Sequence, residues 1–343
     1  MALLEVRDLK VTFPTRHKAL HALRGVNLSL EKGERLGVVG ESGAGKSMAA
    51  FAILNLIAAP GRITGGEVWF EGRDLTRLPR HELRRIRGNR IAMIFQDPMM
   101  TLNPVLSIAT QMVETLKAHQ QITDREARRL AIDKLREVAI PSPETRIDAY
   151  PHELSGGLRQ RVVIAIALLS NPAIIVADEP TTALDVTIQA EIMDLMLRLC
   201  RDHEVGLILI THDLAVVAQV TQRILVMYAG QVIESGPTRK IIEAARHPYT
   251  RGLIAALPQK NRPGSQLNQI PGSMPTLDAI PAGCPFHPRC GYATDLCTRE
   301  VPALRHLDDG HHAACLRAEE IRDALTAEAA TGAAAEAAAE AQT

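Results

Sequence analysis

The sequence has no long apolar run, no surplus of charge of either sign and few cysteines. No stretch reaches the roughly 18 consecutive apolar residues that a membrane-spanning helix needs. Met1 is not followed by the basic-then-apolar pattern of a signal peptide. The chain is therefore expected to be soluble and to stay in the cytoplasm. Lys and Arg together number 39, and so do Asp and Glu, which removes bulk charge as a reason to expect a nucleic-acid or lipid-surface partner. Cysteine occurs only five times in 343 residues. In a reducing compartment such cysteines read as thiols or metal ligands rather than disulfides.

What is present is an ordinary globular composition, 46% hydrophobic and 23% charged, on a chain long enough for two domains or for one large domain with an appendage. The segments LLEVRDLKVTF, LRGVNLSL and EVWFEG alternate apolar and polar residues, which predicts an antiparallel sheet with one buried face. From Arg35 to about Gly230 the pattern becomes strand, turn, helix. LGVVG, IIVAD and LILIT are short and wholly apolar, as parallel strands covered on both faces are. Helical signals dominate about 97–170. TDREARRLAIDKLREVA opens with Thr123 and Glu126 spaced as a capping box and carries a helical apolar stripe. From about Ile241 the character changes again. Pro258, Pro263, Pro271, Pro275 and Pro281 predict a loop or strap. The last residues, 321–343, are low in complexity and read as a frayed or disordered tail.

Three motifs carry chemistry. GESGAGKS, Gly40 to Ser47, matches G-x-x-x-x-G-K-[ST] between a predicted strand and a predicted helix. Gly40, Glu41, Ser42, Gly43, Ala44 and Gly45 would turn backbone N–H groups toward a phosphate at the positive end of the following helix. Lys46 would neutralise the β- and γ-phosphates, and Ser47 would ligate Mg²⁺. IIVADEP ends a buried strand in two carboxylates. Asp178 would hold magnesium, and Glu179, pointing elsewhere, would polarise an attacking water. LSGGL places Ser155, Gly156 and Gly157 at a helix N-terminus, a second anion site.

The cysteines Cys284, Cys290, Cys297 and Cys315 are spaced C-x5-C-x6-C-x17-C. Four grouped ligands suit tetrahedral zinc or a [4Fe–4S] cluster. The tight pairs usual in structural zinc sites are missing. The proline and glycine around CPFHPRCG suit a backbone wrapped about a cluster. Iron–sulfur, zinc and free thiols all remain open on spacing, with His287, His311 and His312 as alternative ligands. Cys200, alone in an apolar helical segment, reads as a buried structural thiol.

In this order, over about Leu3 to Pro258, the landmarks resemble the ATP-binding subunits of ABC transporters. These are Gly40–Ser47, Gln96 in FQDPMMTLNP, LSGGL, Asp178–Glu179, the ALD turn at 183–185, and His212 in THD. The signature departs from the usual pattern in ending at Leu158 rather than glutamine. The resemblance implies a P-loop NTPase (RecA-like) α/β core with an antiparallel β subdomain and a helical subdomain. It implies that Gln96 touches Mg²⁺ and the water, that His212 contacts the γ-phosphate and that Phe13 stacks on adenine. Two subunits would sandwich two ATP molecules, with Ser155, Gly156, Gly157 and Asp185 acting on the partner's nucleotide. YPHELSGGLRQR and HPYTRGLIAALP, followed by the cysteines, resemble the dipeptide/oligopeptide importer branch, whose relatives also include nickel importers. That resemblance implies a second ATP-binding subunit, two transmembrane permease subunits and an extracytoplasmic solute-binding protein, at the cytoplasmic face of the cell membrane. It also implies a nucleotide-binding unit over 1–240 and a small irregular C-terminal domain over 241–320, in which the four cysteines hold a [4Fe–4S] cluster. The competing reading is a soluble ABC ATPase acting on nucleic acid or ribosomes.

Overall fold

The computed structural model describes residues 2–16, 18–182, 184–257 and 268–322. Pro258, Pro263, Ala183 of the ALD turn and all but the first two residues of the expected tail lie outside these.

The alternating segments form the antiparallel sheet they predict. Strands β1 (Leu4–Pro14), β2 (Ala19–Leu30), β4 (Arg62–Phe70) and β5 (Arg73–Asp74) lie in the order β2-β1-β4-β5. The apolar segments form the second sheet. It contains β3 (Arg35–Val39), β6 (Ile91–Ile94), β7 (Ile174–Asp178), β8 (Gly206–Ile210), β9 (Arg223–Tyr228), β10 (Gln231–Pro237), β11 (Arg305–Asp308) and β12 (His311–Ala313). Their order is β11-β12-β10-β9-β3-β8-β7-β6. The five strands from β9 to β6 are parallel, and the three beyond them are antiparallel.

Strand alternation divides the interior into two cores. Ile175, Ala177, Leu207 and Leu209 face one, beneath the helices. Ile174, Val176, Ile208 and Ile210 face the other, shared with the antiparallel sheet and the helix Lys46–Ile53. Burying each such aliphatic side chain contributes about 2 kcal/mol. Between β6 and β7 stand the helices Pro98–Thr101, Ile108–Lys117, Asp124–Glu137, Pro143–Arg146 and Gly156–Leu168, in the span where helical signals dominate. Thr123 caps the third of them, its hydroxyl accepting from the Glu126 N–H at 3.3 Å, and Ala127, Ala131 and Leu135 form its buried stripe.

The C-terminal region is not a detached appendage. Although irregular around its cysteines, it returns to the main sheet, where β12 pairs with β10 through Glu234↔Ala313 and Ser235↔His312. Beneath this pairing the fully buried Glu234 accepts hydrogen bonds from the backbone N–H groups of Arg246 and His247, and lies 2.7 Å from Nε2 of His311. No helix among the described residues is long and apolar enough to cross a membrane.

The register places the strand ends that matter side by side. Val38 and Asp178 both pair with Ile210, and Ile94 pairs with Ala177. The segments following β3, β8, β7 and β6 therefore emerge along one edge, the carboxyl ends of parallel strands where ligands bind in open α/β sheets.

Candidate active site

Gly40–Ser47 is the turn from β3 into the helix Lys46–Ile53. Gly45 caps that helix with φ +101, and a Cβ there would stand 3.2 Å from the Ala22 carbonyl oxygen. Only glycine takes that conformation without strain. Lys46 is buried. Its Nζ donates to the carbonyls of Gly40 (2.8 Å) and Glu41 (3.1 Å), and it forms no ion pair among the described residues. Burial holds its pKa below the usual lysine range, against the opposing pull of Glu179, Asp178 and Glu41. A desolvated ammonium with only carbonyl partners is chemically suited to a phosphate.

The next residue looks the other way. The Ser47 hydroxyl donates to Oδ1 of Asp178 at 3.0 Å. Burial raises the Asp178 pKa, and the serine hydrogen bond works against that shift. A hydroxyl and a buried carboxylate beside a phosphate loop form an oxygen donor set that fits Mg²⁺.

Glu179 sits one residue beyond its strand with φ +46, and its carboxylate meets a different set of partners from that of Asp178. Three elements meet on its carboxylate. Gln96 donates from Nε2 at 3.1 Å, Thr182 donates from Oγ1 at 2.9 Å, and Nδ1 of His212 lies 3.3 Å from Oε1. The structure thus brings together Gln96, Glu179 and His212, which lie far apart in sequence. Gln96 hydrogen-bonds Glu179 rather than the Ser47–Asp178 pair.

Phe13, near the end of β1, is half-buried and packs on Gly61, where a Cβ would come within 2.5 Å of its ring. Ser155 caps the helix Gly156–Leu168 by accepting from the Leu158 N–H at 3.4 Å. Ser155 and Gly156 are exposed, Gly157 is half-buried, and Asp185 is exposed at the start of the helix Val186–Asp202. No described hydrogen bond joins any of these four to Gly40–Ser47.

Cys284, Cys290, Cys297 and Cys315 line one cavity of about 20 Å³ together with His247, Phe286, His287 and Arg317. Burial pushes the Cys315 thiol up to about 11 and raises Cys284 and Cys290. The cavity collects the four thiols the spacing singled out. Yet among the described residues no three His, Cys, Asp or Glu side chains stand together as a metal-holding group, so the structure does not bear out the expected cluster site. His287 Nδ1 lies 2.9 Å from the Cys284 carbonyl oxygen, and His311 is engaged by Glu234. Cys200 is buried in a helix, its thiol pushed up to about 12 by burial.

Sequence reasoning missed Thr182, which holds Glu179, and two residues that reach Glu41. Arg289 forms a two-point ion pair with the Glu41 carboxylate, and the Tyr249 hydroxyl accepts the Glu41 N–H at 2.8 Å. Both lie in stretches singled out for other reasons, CPFHPRCG and HPYTRGL, and no local pattern links them to the P-loop.

Comparison with known proteins agrees with this geometry. The family model for ABC transporters matches residues 23–182, and the model for the C-terminal region of oligopeptide/dipeptide transporters matches residues 233–297. The dipeptide transport ATP-binding protein DppD of Escherichia coli K12 is 47% identical over 315 residues, 92% of this chain and 96% of that protein. The oligopeptide transport ATP-binding protein OppD of the same organism is 47% identical over 316 residues, 92% of this chain and 93% of that protein. Among solved structures, the dimer of MJ0796, a bacterial ABC transporter cassette, matches with a TM-score of 0.62 at 31% identity, covering 69% of this chain and 99% of that one. The chain belongs to the ATP-binding subunits of ABC transporters, in the dipeptide/oligopeptide importer family.

Proposed function

We propose that this chain is the ATPase subunit that powers import of di- or oligopeptides through a membrane ABC transporter. One observation carries the reading: a buried Lys46 with no ion pair among the described residues and the Ser47–Asp178 pair stand on the same sheet edge as a carboxylate, Glu179, that has three side-chain partners. Near full-length similarity to dipeptide and oligopeptide transport proteins supplies the substrate class.

On this reading the loop N–H groups and Lys46 bind the β- and γ-phosphates, and Phe13 stacks on adenine. Ser47, Asp178 and Gln96 hold Mg²⁺, which when bound neutralises phosphate charge. Glu179 accepts the proton of the attacking water, and Gln96, Thr182 and His212 keep its carboxylate aimed. His212 also reaches the γ-phosphate. Catalysis is then mostly positioning and charge stabilisation. The exposed Ser155, Gly156, Gly157 and Asp185 act on the nucleotide of a second ATP-binding subunit, whose motifs act on this one. Residues 1–240 form the nucleotide-binding unit, and 241–320 are the importer-family addition.

The assembly on this reading contains two permease subunits and an extracytoplasmic solute-binding protein, with this chain peripheral at the cytoplasmic face of the cell membrane. Affinity capture tests it. Recovery of two polytopic membrane proteins and a second ATPase is expected, and recovery of ribosomes or DNA instead would overturn it.

The four thiols on one cavity support a [4Fe–4S] cluster held by Cys284, Cys290, Cys297 and Cys315. Such a cluster would cross-link the loops that carry them. Anaerobic purification should give brown protein with about four iron and four sulfide per chain. Colourless protein with one zinc contradicts it.

A further inference from the structure

Glu41, the second residue of the phosphate loop, is pinned at three points. Its carbonyl accepts from Lys46 Nζ, its N–H donates to the Tyr249 hydroxyl, and its carboxylate is gripped by Arg289 from NH1 (2.7 Å) and NH2 (3.0 Å). Two of these three come from beyond residue 240. Arg289 is itself fixed. Its Nε donates to the Pro271 carbonyl at 2.8 Å, its NH1 donates to the Tyr228 hydroxyl, and its guanidinium carbon lies 5.9 Å from the Tyr228 ring centre and 5.8 Å from that of Phe286. Only 6% of the Arg289 side chain is exposed, against 31% of the Glu41 side chain, so this is a half-buried, two-point pair with the guanidinium desolvated.

The strap between Pro271 and Arg289 extends the contact across the loop. Met274 lies 3.7 Å from where a Cβ on Gly43 would stand, and Gly43 needs its φ of +84 to make the turn. Farther along, the Asp278 carbonyl accepts from Lys18 Nζ at 2.7 Å, tying the strap to the turn between β1 and β2 just beyond Phe13. The strap thus runs from the phosphate loop toward the expected adenine side of the site.

A loop that presents several N–H groups to one anion binds best when its backbone is already in place, because ordering it on binding costs affinity. We propose that Arg289 is a positioning residue of the ATP site: by fixing Glu41 it holds the phosphate loop in its binding shape, so the C-terminal region sets nucleotide affinity. The proposal rests on reading Gly40–Ser47 as the ATP site.

Equilibrium binding of radiolabelled ATP to the full chain tests it. Arg289→Ala should weaken binding about tenfold. Arg289→Lys should recover part of the loss, because an ammonium keeps the charge but not the two-point grip. Combining Arg289→Ala with Glu41→Ala should be little worse than either alone, since both remove one interaction. Lys240→Ala removes the ion pairs to Asp308 and Asp309 in the same region, away from the loop, and should leave affinity within about twofold. In the assembled transporter the Arg289→Ala defect should fall on the KM for ATP rather than on kcat. If Arg289→Ala does not fold, Tyr249→Phe, which removes only the hydroxyl that receives the Glu41 N–H, should weaken binding in the same direction. Unchanged affinity in a folded Arg289→Ala chain, or single-variant losses that simply multiply, overturns the proposal and leaves the ATP-site reading intact. A wild-type chain that binds no ATP, with Lys46→Ala no different, overturns the ATP-site reading itself.

Discussion

The Ser47 hydroxyl donates a 3.0 Å hydrogen bond to Asp178 across 131 residues of sequence. It joins the start of one helix to the end of a strand two places away in the sheet. Replacing Asp178 by Asn keeps the shape and an acceptor but removes the charge that a cation needs. The affinity for ATP in the presence of Mg²⁺ should fall about tenfold or more, while binding without Mg²⁺ stays as it was. Titrations of ATP with and without the metal check this, and equal losses in both would contradict the assignment.

Ser155→Ala separates the two anion sites. It removes the cap of the helix Gly156–Leu168, at a cost of about 1 kcal/mol in stability. Ser155 makes no described bond to Gly40–Ser47, so ATP binding by the single chain should be unaffected. Hydrolysis by the paired subunits should drop about a hundredfold at the partner's site. Mixed pairs carrying the variant on one side only would show which site is lost.

Buried Glu234 ties three segments together. Glu234→Leu leaves the N–H groups of Arg246 and His247 without their acceptor and the His311 ring without its partner. The loss should be about 3 kcal/mol, read as a lower urea midpoint. A variant as stable as wild type would show that these groups find other partners.

His247 sets a pH dependence. Its ring is buried, and burial pushes its pKa down to about 4 from the usual 6.5 of a free histidine. Its Nδ1 accepts the Tyr249 N–H at 3.1 Å, which requires an unprotonated nitrogen. Between those two pH values the unfolded chain takes up a proton that the folded chain refuses. The contribution is therefore fully present above pH 6.5 and is lost as pH falls toward 4, by about 3 kcal/mol at most. His247→Asn keeps the cap acceptor without the titration. Between pH 7 and pH 5 its urea midpoint should fall less than that of wild type, and equal falls would rule His247 out as the source.

Much of the site was legible because its signals are local. A glycine-lysine-serine turn after an apolar strand, and two carboxylates ending another, state their chemistry within eight residues. Apolar strands read as parallel because both faces are buried, and Ile174–Ala177 do face two cores. What escaped depends on distant pairing. Arg289 and Glu41 are separated by 248 residues, and nothing in HPRC marks its arginine as facing the phosphate loop. The three-residue strand β12 is too short to show a period, so its place on the edge of the main sheet could not be read. Gln96 was expected near Mg²⁺, and its hydrogen bond to Glu179 came from the register of β6 on β7, which sequence spacing does not contain.

The central claim is that this chain hydrolyses ATP through Glu179 to drive peptide uptake. Its most direct test is uptake of a labelled di- or oligopeptide by the transporter reconstituted in vesicles with its solute-binding protein, with ATP on the side of this subunit. Uptake should require ATP and Mg²⁺, and Glu179→Gln should bind ATP while slowing hydrolysis and uptake together by about a hundredfold or more. ATP-driven peptide uptake that persists in Glu179→Gln, or no peptide uptake by an active wild-type complex, would contradict the account.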